Sequence, residues 1–386
     1  MTVITAIDSF KGSLSSRQAG EAAKEGVLRV YPDADVRIYP IADGGEGTAS
    51  VLTEAVGGTT RTVTVTGPLG APVQASYGVS ADGTTAYMDM ASAAGITLIE
   101  AEERDPLCAT TYGVGEMITD ALEHGCRRLV LGIGGSATND GGAGMLQALG
   151  FGLLDSKGNP VPHGAAGLAC LSRITSDTAH PLLNECTVMV ACDVTNPLCG
   201  ENGCSAVYGP QKGATPEMVA QMDMWLAHYA AVVKTLIPDA DDTAAGAGAA
   251  GGIGFALHTF LKATMQSGIA LVAAETGLSR AMTNADIVLT GEGRLDAQTA
   301  MGKAPVGVAR LAKAYGKPVI AFAGGVTEGA RACHDEGIDA YFPVVRGVCS
   351  LEDALAVENA HRNMANAVEE VFRVMRTCDK MGKCSL

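Results

Sequence analysis

Short apolar runs alternate along the chain with segments whose apolar residues recur at helical spacing. The run Thr2–Ile7 predicts a strand. Ser15 and Gln18 form a capping box for a helix whose apolar positions, Ala19, Ala22, Ala23, Gly26, Val27 and Val30, share one face. A second strand is predicted over 36–41, and a helix over 48–56 is stopped by Gly57-Gly58. Three alternating runs, 60–66, 73–79 and 85–90, are separated by Pro68-Leu-Gly70 and Asp82-Gly83 and predict an antiparallel meander. A helix over 111–124 leads to a strand over 129–133, and 151–154 with the turn 155–160 predicts further hairpin structure. Residues 187–192 form another predicted strand, and Thr215 with Pro216 opens a helix.

From Ile287 the rhythm is regular: strand to Thr290, helix over 305–315, strand over 319–323, helix to Glu336, strand over 340–345. A long final helix opens with Ser350-x-x-Asp353, and the tail after Arg376 reads as frayed. Such alternation predicts a right-handed parallel sheet, to which the opening βαβ can add strands. The expected fold class is therefore α/β with two domains. One is Rossmann-like and built from both chain ends, 1–60 plus 285–386; the other, 61–284, is mixed α/β with antiparallel hairpins. The active site is expected in the cleft between them. The Gly/Ala tract 244–254 reads as a mobile lid or a flexible connector.

Composition narrows this reading. Hydrophobic residues make up 47% and aromatics only 4%, with 49 glycines, so the cores are aliphatic and a β-sandwich is disfavoured. A net charge of −15 argues against a nucleic-acid partner and against anionic membranes. The longest charge-free interval, 243–261, is broken by five glycines and a histidine, which suits a loop and buried helix better than a membrane span. No basic n-region or apolar h-region precedes the first strand, so a cytoplasmic protein is expected. The 11 cysteines, including Cys199-x4-Cys204 and Cys378-x5-Cys384, lack zinc-site spacing and read as reduced thiols. Oligomeric state is not legible.

Chemistry concentrates where predicted strands end. Asp8-Ser9-Phe-Lys11 places a carboxylate, a hydroxyl and an ammonium after the first strand, either as a ligand site or as a solvated loop. After the second, Asp43 and Glu46 among glycines either hold Mg²⁺ or accept a substrate hydroxyl, or form the acidic first turn of a helix. Gly132-Ile-Gly134-Gly135-Ser136-Ala-Thr138-Asn139-Asp140 joins an apolar strand to a helical segment and can present backbone N–H groups to a phosphate, with Asp140 as a metal ligand. It matches the dinucleotide fingerprint only loosely, and Walker A is absent. Asp193 and Asn196 leave another strand together; Asp193 is a candidate base or the head of an Asx-turn. Lys212 lies near a helix start. Finally, 291–303 combines Glu292 and Asp296 with Arg294 and Lys303, a mixture suited to Mg²⁺ and phosphate.

Together, Asp8-Ser-Phe-Lys-Gly-Ser13, Ala42-Asp-Gly-Gly-Glu-Gly-Thr48, Gly132–Gly142, Ala191-Cys-Asp-Val-Thr-Asn-Pro197, Gly209-Pro-Gln-Lys-Gly-Ala214 and Thr290-Gly-Glu-Gly-Arg-Leu-Asp-Ala-Gln-Thr299 closely resemble the type I glycerate kinases of bacteria. The resemblance runs in order from the first strand to Val345; Ala297 stands where a serine is frequent. It implies a two-domain α/β enzyme unrelated to Walker-type kinases that uses ATP and Mg²⁺ to phosphorylate D-glycerate, usually at O2, with the 3-phosphate as the less expected product. Within that frame Lys11 and Arg294 neutralise the γ-phosphoryl and Asp193 deprotonates the glycerate hydroxyl. Asp8, Ser9, Asp43, Asn196 and Lys212 bind substrate. Gly134, Gly135, Ser136, Thr138, Asn139 and Lys303 contact nucleotide phosphates, and Asp140, Glu46, Glu292 and Asp296 are the metal candidates. Two readings outside the family are an NAD-dependent hydroxy-acid dehydrogenase and a non-enzymatic two-lobed sensor of small acids.

Overall fold

The computed structural model describes residues 1–42, 44–45 and 47–381. In chain order its strands are β1 (Thr2–Ile7), β2 (Asp35–Ile38), β3 (Thr59–Thr66), β4 (Pro72–Val79), β5 (Thr85–Asp89), β6 (Arg128–Gly132) and β7 (Gly152–Leu154). They continue with β8 (Arg173–Thr175), β9 (Thr187–Ala191), β10 (Thr264–Gln266), β11 (Ile287–Leu295), β12 (Val319–Val326) and β13 (Ala340–Pro343). The fold is α/β, divided into two compact units: Met1–Asp43 with Ile269–Leu386, and Gly44–Gly268.

In the first unit the two chain ends share one parallel sheet in the order β13-β12-β11-β1-β2. Strands inside such a sheet are covered on both faces, so β1 is buried without a break from Val3 to Ile7 and is apolar there except for Thr5. The capping box is present: the Ser15 hydroxyl accepts from the Gln18 N–H, and the Gln18 side chain returns to Ser15. The buried face of the helix Ser16–Leu28 packs on the last helix, Val357–Lys380. Gly26 allows that approach, since a Cβ there would stand 2.4 Å from the Ala365 carbonyl. Val3, Val27, Leu289, Phe322, Val368 and Phe372 fill the core.

Several expected boundaries shift. The segment before Glu336 is a 3-10 turn, Glu328–His334, rather than a helix of full length. β11 does not stop at Thr290 but runs through Gly291-Glu-Gly-Arg to Leu295, with Arg294 opposite Gly325. Glycines that look like loop here serve a crowded strand: a Cβ on Gly291 would meet the Phe322 carbonyl at 1.9 Å. Ser350 caps a short helix, Leu351–Leu355, and Ala356 separates it from Val357–Lys380, so the chain after Arg376 is still helical. Cys384 lies outside the described residues.

The second unit holds a six-stranded sheet, β10-β9-β6-β5-β4-β3, parallel from β10 to β5 and antiparallel through the meander β5-β4-β3, with a separate β7–β8 pair. The tract 244–254 is neither lid nor loose connector. It enters the helix Ala249–Leu261, and Ala247, Ala249, Gly251, Gly252 and Gly254 are buried. Small residues are needed because backbones touch: a Cβ on Gly254 would lie 2.1 Å from the Gly246 carbonyl, and one on Gly248 2.2 Å from that of Pro197. The first and last residues of this unit are neighbours, since a Cβ on Gly44 would stand 3.3 Å from the Gly268 Cα. Among the described residues no helix is long and apolar enough to cross a membrane, and the described cysteines are free thiols.

Candidate active site

In the first unit the strand order reverses direction between β1 and β11, the place where open parallel sheets leave a crevice at their carboxyl ends. A cavity of ≈ 780 Å³ lies there. Asp8, Ser9 and Lys11 reach it from the turn after β1, which Gly12 closes at φ +78°. Asp8 is almost enclosed, and one of its oxygens accepts the Ser9 N–H at 2.7 Å. Glu292, Arg294, Asp296 and Lys303 reach the same cavity from β11 and the turn that follows. Glu292 accepts the Thr299 hydroxyl at 2.6 Å, and Asp296 caps the turn Ala297–Ala300 through the Gln298 and Thr299 N–H groups. Arg294 and Lys303 stand 3.9 and 4.0 Å from Asp296, at the limit of an ion pair, and the Arg294 side chain is 70% exposed. Charge contacts this long and this wet are weak, so both cations can turn to an anionic ligand at little cost.

In the second unit the carboxyl ends of β5, β6 and β9 bring other expected residues together. Gly44 and Gly45 lie against Gly132 and Gly134 so closely that a Cβ on Gly134 would be 2.8 Å from the Gly45 Cα. Gly135 is exposed at φ +75°. Asp193 is exposed just beyond β9, and one of its oxygens accepts the Gly268 N–H at 3.1 Å. Asn196 is committed to its own loop, donating to the Asn202 carbonyl at 2.8 Å and accepting from the Tyr208 hydroxyl at 2.6 Å.

Ser136, Thr138, Asn139 and Asp140 lie beneath that surface, buried. The Asp140 carboxylate accepts the Thr111 N–H and hydroxyl, both at 2.9 Å, and the N–H groups of Gly142 and Gly144 at 3.1 and 3.2 Å. Burial pushes its pKa up, above the ordinary carboxylate value, while these four donors pull the other way. Lys212 is 2% exposed and donates to the Ser136 hydroxyl at 2.8 Å and the Thr138 carbonyl at 2.6 Å. Burial lowers its pKa to about 8. Asn139 donates to the Ser205 hydroxyl at 2.8 Å. Asp140 and Lys212 therefore hold the loop from within, Asp140 with both oxygens already engaged. Only Gly134 and Gly135 present its backbone outward.

Sequence reasoning missed Asp89. At the end of β5 its two oxygens accept the Gly47 and Ala49 N–H groups at 2.8 and 3.0 Å, anchoring the start of the helix Thr48–Ala55. No local motif marks it, because its partners are some forty residues away. Asp43 and Glu46 lie outside the described residues. Among the described residues no three Asp, Glu, His or Cys side chains are grouped to hold a metal ion.

The model of the Glycerate kinase family matches residues 3–376. The chain belongs to the glycerate kinase family. This member is 46% identical to the glycerate 2-kinase of Escherichia coli K12 over 371 residues, covering 96% of this chain and 97% of that one. It is 45% identical to the glycerate kinase of Bacillus subtilis 168, with 99% of each covered. The crystal structure of a candidate glycerate kinase 2 from Salmonella typhimurium LT2 matches with a TM-score of 0.90 at 45% identity, over 98% of this chain and 99% of that one. The family makes this protein a kinase, with ATP as the phosphate donor its chemistry implies.

Proposed function

We propose that the protein is a cytoplasmic glycerate kinase that transfers the γ-phosphoryl group of ATP to O2 of D-glycerate. The observation that carries the reading is the lining of the first unit's cavity, which brings Lys11, Arg294 and Lys303 together with Asp8, Glu292 and Asp296. Phosphoryl transfer asks a protein for cations on the transferring group, carboxylates for a divalent ion and a proton acceptor.

Lys11 and Arg294 neutralise charge on the transferring group, and Lys303 holds the remaining phosphates. Asp8 and Glu292 would hold Mg²⁺, which when bound neutralises phosphate oxygens. A magnesium site built from one or two carboxylates and the nucleotide's own phosphates suits this donor set. Asp193, exposed beyond β9, orients the glycerate hydroxyl and accepts its proton. Gly134 and Gly135 supply backbone N–H groups, whereas Ser136, Thr138, Asn139, Asp140 and Lys212 keep that loop in shape. The dehydrogenase and sensor readings lose ground to the family assignment.

ADP release from Mg-ATP with D-glycerate, against L-glycerate and no-acceptor controls, tests the reading. Phosphorus NMR of the product should show 2-phosphoglycerate. A 3-phosphate product would move the acceptor atom, and folded protein without D-glycerate-dependent turnover would remove the assignment.

A further inference from the structure

The same cavity has a second wall that the transfer chemistry does not use. The charged residues come from β1 and β11 and the turns after them, whereas the chain after β13, beyond β12 in the sheet order, and the short helix Leu351–Leu355 line the cavity with Val344, Val345, Val348, Leu351, Ala354 and Leu355. Val344 is buried, but Val348 and Leu351 are 109% and 75% exposed. Branched aliphatics held this far into water contribute little to folding, and clustered at a cavity they mark a surface that something covers.

Glycerate does not match that wall. Every carbon of the acid carries oxygen, so it has no apolar face to offer. A three-carbon acid is also far smaller than a ligand that fills ≈ 780 Å³. A nucleoside triphosphate has the opposite form, a flat apolar base at one end and a polyanion at the other. The cavity's lining offers both kinds of contact from different strands, cations from β1 and β11 and the turns after them, and aliphatics from the chain after β13. Gly325, at the close of β12, has nothing within 4 Å of an added Cβ, so its edge is open rather than packed. The Ser13 hydroxyl, also on the lining, is buried with no partner among the described residues, and a ligand oxygen or nitrogen would satisfy it.

We propose that the wall of Val345, Val348, Leu351 and Leu355 seats the adenine base of ATP, with the phosphates directed to Lys11, Arg294 and Lys303. The inference rests on the kinase reading for the identity of the nucleotide and goes beyond it in assigning ATP to the first unit rather than to the Gly134 loop.

The test uses the full chain and separates base from phosphate. A Val348→Ser/Leu351→Ser double variant touches exposed residues and should fold as wild type, which its melting temperature checks. Calorimetric titration should show Mg-ATP and Mg-ADP bound about tenfold more weakly, the order expected for losing two aliphatic contacts. Inorganic tripolyphosphate, which has no base, should bind within twofold of wild type, and the KM for D-glycerate should stay within twofold. Gly325→Val, at a lining position where an added Cβ meets nothing within 4 Å, should also raise the KM for ATP. Unchanged Mg-ATP affinity in the double variant, or an equal loss for tripolyphosphate, would overturn the seat. So would a wild-type chain that binds no Mg-ATP. Wild type that binds Mg-ATP with this pattern but does not turn over D-glycerate would leave the seat standing and remove the kinase reading instead.

Discussion

Asp193 and Lys212 show how similar loop positions come to different uses. Asp193 is exposed and accepts the Gly268 N–H, and an exposed carboxylate has several lone-pair positions with which to accept a hydroxyl proton as well. Asp193→Asn keeps the shape and removes the base, so kcat should fall by about 10²-fold or more while the KM for D-glycerate moves only a few-fold. Turnover near wild type in steady-state assays would end its assignment. Lys212 is enclosed, and its pKa of about 8 in the folded chain lies below the ordinary 10.5. Below about 8 both folded and unfolded chains carry the proton, and no pH dependence arises. Between about 8 and 10.5 the unfolded chain binds a proton that the folded chain has shed, so this group's contribution to stability rises with pH. Urea unfolding of wild type and Lys212→Met should therefore diverge in favour of wild type from pH 8 to 10. A constant difference would show that the ammonium is not buried. Nothing local in Gly209-Pro-Gln-Lys-Gly213 announces that burial, which arises because Ser136 and Thr138 come from a loop more than seventy residues earlier.

At the scale of elements, the pattern of apolar positions was informative wherever an element buries one face or lies inside a sheet. It located β1, the meander, the capped helices and the βα rhythm of the chain end. It misplaced segments whose glycines serve packing, because the same residues mark turns when nothing presses on them. β11 is one such case and the tract 244–254 the other. Ala250, Gly251 and Gly252 all adopt left-handed backbone angles there, and a Cβ on Gly251 would meet the Thr138 carbonyl at 2.0 Å. Gly251→Ala should cost roughly 2–4 kcal/mol through overpacking and backbone strain. Ala250→Gly relieves a strained angle at φ 52° and should gain up to about 1 kcal/mol. Denaturant midpoints measure both, and equal midpoints for the two variants would contradict the packing described.

For the whole molecule, continuity of the chain decides which unit can stand alone. Gly44–Gly268 is one uninterrupted stretch with its own core, so a fragment of those residues should fold, show cooperative melting and retain a dispersed amide NMR spectrum. Residues 269–386 lack β1, which lies between β11 and β2, and should not fold until residues 1–43 are supplied. Circular dichroism of the separate and mixed fragments checks this; a folded 269–386 alone would contradict it. The two-unit division could be anticipated from the change between parallel rhythm and meander. The site was legible as a set of loops, but which side chains face a ligand and which brace the loops depends on contacts made by distant parts of the chain.

The nearness of Gly44 to Gly268 bears on the order of assembly. β1 and β11 pair side by side although a whole unit separates them in sequence, and closing so long a disordered loop costs roughly 5 kcal/mol by the logarithmic rule. Once the intervening unit has folded, its ends already stand together, and most of that cost has been met within it. The inserted stretch thus acts as a clasp: it should acquire structure first during refolding, and the sheet that joins the two termini should complete afterwards.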